Sequence, residues 1–173
     1  IAFLGFPPGG ALALLVIGRL ETPIGGLIGG TVAGIVIGTA QWLALRGRLK
    51  LTPLWIAATA LGLGAGLGVG VALFGAETTL VVLVQRAVPT GVLLGVAQGV
   101  VLRQRLSNTA GLLWGVAVAL VYPVAWVVTA QVIGASVNNS FVVFGASGAL
   151  LFQAITGGVL WAVLRAAAPA PQA

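Results

Sequence analysis

The chain has 173 residues, of which 60% are hydrophobic and only 6% charged, with a net charge of +6 and a mean hydropathy of +1.17. A soluble domain carries about a quarter charged residues, so this composition excludes a water-soluble globule. Disorder, which needs low hydrophobicity and high charge, is excluded too. What remains is an all-α integral membrane protein with several spans of about 20 residues.

In chain order, the first expected span is Ile1–Gly18, with Pro7 and Pro8 kinking it or marking a short entry segment. Glu21-Thr22-Pro23 is a turn, with Thr22 a candidate N-cap and Pro23 a candidate first helical residue. The second span covers Ile24–Leu45 and stops at Arg46-Gly47-Arg48-Leu49-Lys50; the third covers Leu54–Phe74. The fourth covers Leu80–Leu102, with Pro89 inside it, and ends at Arg103-Gln104-Arg105. Ser107-Asn108-Thr109 caps the fifth, Ala110–Ile133, which holds Tyr122-Pro123 and Trp126 at mid-depth. After the loop Ser136–Ser140 the sixth covers Phe141–Leu164 and ends at Arg165. One domain, 1–165, is expected, followed by a disordered Ala/Pro-rich tail, 166–173. With no Met, including no initiator, and an apolar run at its start, the chain reads as a fragment or processed form. The opening run shows no basic region of a signal peptide.

The eight cations and two acids act as topology markers. Six cations (Arg46, Arg48, Lys50, Arg103, Arg105, Arg165) and no acid fall on one side of a six-span layout. Arg19 and Arg86, with Glu21 and Glu77, fall on the other. This positive-inside bias places both termini in the cytoplasm, in a bacterial inner membrane. Trp42, Trp55, Trp114 and Trp161 lie near the basic ends, as an interfacial aromatic belt does. Arg86, several residues into the fourth span, is expected to snorkel and join a surface ion pair, or else to act as an outer anion gate.

A repeat emerges in the helix ends. Gly38-Thr39-Ala40-Gln41-Trp42-Leu43-Ala44-Leu45-Arg46 matches Gly95-Val96-Ala97-Gln98-Gly99-Val100-Val101-Leu102-Arg103 at Gly, Ala, Gln, Leu and Arg. Gly157–Arg165 keeps Trp, Leu and Arg but has Leu160 where the others have Gln. Three parallel two-helix repeats, about 1–50, 51–108 and 109–165, imply a pseudo-threefold six-helix bundle. The G-x-A-Q-W-L-x-L-R helix end followed by a Trp-led apolar helix resembles small polytopic membrane proteins of bacterial genomes, Chloroflexota and cyanobacteria especially. The resemblance rests on Gln41 to Arg46, Gln98 to Arg103 and the repeat layout. It implies this topology and no activity.

Glycine at four-residue spacing is the loudest local pattern: Gly26, Gly30, Gly34 and Gly38, then Gly62, Gly66 and Gly70, then Gly91, Gly95 and Gly99. Such faces let helix backbones touch. They pack the bundle itself or dock a partner helix, a lipid or a pigment; Gly30, Gly34, Gly62, Gly66, Gly70 and Gly95 are the candidate docking positions. They are no phosphate loop, lacking the strand-turn-helix context and the Lys-Ser/Thr.

Gln41 and Gln98 form the candidate polar cluster, each five residues before its Arg and hence about 7.5 Å deeper along a helix. They act either as interhelical glue or as a polar ring around a cavity, extended by Gln153. Gln131 sits near the outer end of the fifth helix.

No His, Cys or Met is present, which removes the usual ligands of haem, iron–sulfur and thiolate zinc and any Cys or His catalyst. No metal site and no catalytic residue are expected, and no enzyme. The cations are too scattered for nucleic acid. Three functions fit: an accessory or scaffold subunit of a larger membrane complex, meeting lipids and other membrane subunits; a small channel or facilitator along the pseudo-threefold axis; or a protein binding a lipid or an isoprenoid pigment, of carotenoid or chlorophyll type, without His ligation.

Overall fold

The computed structural model describes residues 2–134, 137–138 and 140–166. The expected disordered tail, from 167 on, and Ser136 and Asn139 of the expected loop lie outside them. A 3-10 turn, Ala2–Gly5, leads into α1 (Phe6–Ile17); α2 (Pro23–Leu49), α3 (Leu54–Phe74), α4 (Leu80–Arg103), α5 (Asn108–Ile133) and α6 (Ala146–Ala166) follow. No strand occurs among the described residues. Five helices, α2 to α6, are long and apolar enough to cross a membrane, as in a multi-pass membrane protein.

The caps follow local chemistry. Thr22 and Ser107 accept hydrogen bonds from the backbone N–H of Gly25 (3.0 Å) and Ala110 (3.1 Å) and start α2 and α5 where the sequence places them. Thr79 does the same for α4 from Val82 N–H at 3.4 Å. Pro89 and Pro123 sit inside α4 and α5, which run on through them.

Two expected spans are corrected. The helix within Ile1–Gly18 begins only at Phe6, with the prolines in its first turn, where a missing N–H costs nothing. Its 12 residues rise about 18 Å, short of the roughly 30 Å hydrocarbon core. The sixth helix begins at Ala146, not Phe141. Val142, Val143 and Phe144 are buried as irregular chain, which membrane depth tolerates only inside protein. Phe144 anchors this segment, with ring centroids 4.8 Å from Tyr122, 5.5 Å from Phe152 and 5.7 Å from Phe6.

Each helix packs on the next, antiparallel, along the glycine ladders. A Cβ on Gly30 would meet Leu63 O at 2.6 Å, one on Gly34 Ala60 Cα at 2.6 Å, and one on Gly62 Leu94 Cα at 2.7 Å. Gly66 lies on Thr90, Gly70 on Arg86 and Gly95 on the Gly115 carbonyl. The six candidate docking glycines therefore meet the bundle's own helices, which is the packing alternative, and Gly95 also lines an open groove of about 550 Å³ between α4 and α5. α1 runs against α2, with Gly9 facing Ala33 O. On the other side of the bundle α2 and α6 make no direct contact among the described residues, and the 3-10 turn and α1 bridge them.

Candidate functional site

The Gln register and the Trp-led helix starts converge. α2 and α4 end with Gln41 and Gln98 about one and a half turns before their arginines. α3 and α5 begin with Trp55 and Trp114 in their first two turns. The Trp55 indole N–H donates to Gln41 Oε1 at 3.1 Å, and the Trp114 indole N–H donates to Gln98 Oε1 at 3.1 Å. One contact thus recurs across α2–α3 and α4–α5. Gln98 Nε2 then donates to Gln41 Oε1 at 3.1 Å and to Thr59 Oγ1 at 2.9 Å. The Thr59 hydroxyl in turn donates to Trp55 O at 2.8 Å. The two indole rings lie 5.8 Å apart, tilted 58°.

The polarity of this chain is forced. An indole N–H only donates, so the amide ends facing Trp55 and Trp114 must be oxygens. Both N–H groups of Gln98 have acceptors, and both lone pairs of Gln41 Oε1 have donors. The Gln98 amide and the Gln41 oxygen are thus fully engaged within the network, and the Gln41 N–H groups are not part of it.

Two of the four belt tryptophans are corrected here. Trp55 is 1% and Trp114 5% exposed, because their N–H groups meet buried amides instead of headgroups. Trp161 remains 56% exposed with Arg165 over its ring at 3.9 Å, and Trp42 has Arg46 at 5.0 Å. Thr59 went unnoticed in the sequence; its one signal was its place a turn after Trp55, on the same helix face.

Gln153 does not join the network. It lines, with Gln41, a cavity of about 400 Å³ that also touches Trp55, Trp114 and Leu160. Its Nε2 is buried and has no partner among the described residues. Leu160, at the Gln register of α6, faces this cavity instead of extending the amide chain. Gln131 is exposed at the end of α5, and Trp126, 2% exposed, is core.

Arg86 departs most from expectation. It is 4% exposed, its Nη1 has no partner, and no ion pair forms among the described residues. Glu21 and Glu77 are both exposed. The surface ion pair is therefore corrected: the register that sets Arg86 Cα against Gly70 of α3 turns the side chain into the bundle. A buried guanidinium with an unpartnered N–H group and no carboxylate beside it among the described residues opposes folding. Arg86→Met is expected to keep the fold and raise the thermal midpoint in detergent; a lowered midpoint would show that the guanidinium has a stabilising partner in the membrane.

No group of three or more metal-ligating side chains occurs among the described residues. Compared with known proteins, the chain matches no family model, no curated protein and no solved structure.

Proposed function

We propose that this protein is a non-enzymatic accessory subunit of a bacterial cytoplasmic membrane, a rigid bundle that serves as scaffold within a larger complex and does not conduct. The observation that carries this reading is the Gln41–Gln98 hydrogen bond, flanked by Trp55, Trp114 and Thr59. A facilitator needs polar groups free to replace a solute's water along its path, and here the Gln98 amide and the Gln41 oxygen are engaged with one another and with Trp55, Trp114 and Thr59. The backbone contacts along the glycine ladders support rigidity. The pseudo-threefold arrangement is part of the proposal: with repeats at about 1–50, 51–108 and 109–165, the Trp-to-Gln bond recurs at the two junctions between successive repeats, α2–α3 and α4–α5, and the third repeat diverges, with Leu160 at the Gln register.

Purification at native expression in mild detergent tests it. Other membrane subunits are expected to co-purify, and the protein in liposomes is expected to leave solute flux at background. A lone monomer, or flux that Gln41→Leu abolishes in a folded protein, would overturn the scaffold reading. The same reading puts the C-terminus in the cytoplasm. Reporters fused after Arg48 and after Ser140, separated by three helices, are expected to report opposite sides of the membrane, the former cytoplasmic. Same-side signals would refute the topology.

A second reading, a lipid-soluble ligand held inside the scaffold, is favoured by the cavity beside Gln41.

A further inference from the structure

We propose that the cavity between the 3-10 turn, α2, α3, α5 and α6 binds a neutral, lipid-soluble carbonyl compound of the quinone or keto-isoprenoid class, held by the Gln41 and Gln153 amide N–H groups. This deepens the ligand-holding reading above and rests on it.

The argument starts from the forced direction of the hydrogen-bond chain. Trp114 donates to Gln98, Gln98 to Gln41, and Trp55 to the same Gln41 oxygen. The chain therefore ends on Gln41 Nε2, a donor with no acceptor among the described residues. Gln41 is only 5% exposed, and what it faces is the cavity. Donors in series polarise one another, so the terminal N–H is the strongest. Gln153 Nε2 on α6, in the lining of the same cavity, is a buried donor without a partner among the described residues. The one hydroxyl in the lining, Thr156, already donates to Phe152 O at 2.6 Å. The cavity thus presents surplus donors, and buried donors demand acceptors.

The rest of the lining narrows the class. No charged side chain among the described residues borders the cavity, so a carboxylate, a phosphate or a cation would enter without a counter-charge. The indoles of Trp55 and Trp114 and the side chains of Leu45, Leu150 and Leu160 offer flat and branched apolar walls. Its volume of about 400 Å³ is that of a small-molecule site. The 3-10 turn, with Ala2 and Phe3 in the lining, fills the gap between α2 and α6, whereas Leu150, Ala154 and Gly157 of the lining are exposed on α6, so the cavity borders the face that meets the acyl chains, which suits a ligand partitioned in the bilayer.

The test uses the protein as its host makes it, in nanodiscs, with a decyl-substituted benzoquinone as probe and decylbenzene, which lacks carbonyl groups, as reference. Binding is read for the quinone from quenching of the indole emission, and for decylbenzene from its competition with the quinone. Wild type is expected to bind the quinone saturably and about tenfold more tightly than decylbenzene. Gln153→Leu, which disturbs no hydrogen bond of the network, and Gln41→Leu are each expected to weaken quinone binding several-fold while decylbenzene keeps its affinity. Leu160→Trp, which fills the cavity, is expected to abolish both. Equal affinity for the two probes, or quinone binding indifferent to Gln153→Leu and to Gln41→Leu in folded protein, would overturn the carbonyl assignment while leaving an apolar ligand site. Absence of saturable binding by either probe would overturn the ligand-holding reading itself.

Discussion

Gly30→Leu is expected to separate α2 from α3 and to destabilise the bundle by about 3 kcal/mol or more, the top of the usual overpacking range. The first added carbon would lie 2.6 Å from Leu63 O and 2.9 Å from Gly64 Cα. Both are backbone, so no rotamer change relieves the clash, and the rest of the leucine has nowhere to go. Gly66→Leu, against Thr90 Cα, is expected to behave alike. Gly158→Leu is the control: nothing lies within 4 Å of its Cβ position, so a change within about 0.5 kcal/mol is expected. Thermal unfolding in detergent, followed by size-exclusion profile, checks all three. A wild-type midpoint for Gly30→Leu would mean that the two backbones do not approach as described.

Gln98→Leu is expected to be the most damaging loss of a polar side chain, at about 2 kcal/mol. Three hydrogen bonds converge on Gln98, and interhelical bonds in membranes average about 0.6 kcal/mol each. The substitution also strands the Trp114 N–H in an apolar site. Gln41→Leu removes two bonds and is expected to cost about 1 kcal/mol on the same scale. The repeat makes the two glutamines equivalent, whereas the network makes Gln98 its hub. Midpoints in the reverse order, or an unchanged Trp emission maximum in Gln98→Leu, would refute that hub. Both losses are expected to stay below that of Gly30→Leu.

Much of the layout was legible in the residues. Thr22 and Ser107 cap helices because a short side-chain oxygen followed by an apolar run has few other roles. The shared G-x-A-Q spacing put Gln41 and Gln98 at one depth, and their 3.1 Å hydrogen bond follows from that shared depth. The glycine spacing located faces where backbones touch, but the face alone does not say which helix arrives; the occupants turned out to be the bundle's own. Trp55 and Trp114 were misread because depth along a helix and rotation about its axis are separate coordinates. A tryptophan near a basic helix end suits a headgroup if it points out and a buried amide if it points in.

The sequence by itself determined the solvent, the helices and their approximate ends, since hydropathy, caps and glycine spacing act within one helix or its immediate medium. Only the tertiary structure decided what each helix turns inward. Arg86 became a buried cation because Gly70 lets α4 approach α3 at that register. Phe144 unwound the expected start of α6 by packing between Phe6, Tyr122 and Phe152. The cavity beside Gln41 and Gln153 exists because the 3-10 turn, and not α6, packs on the end of α2. Such outcomes depend on interhelical distance and rotation, set jointly by all the contacts of a bundle, and no single helix carries that information in its own residues.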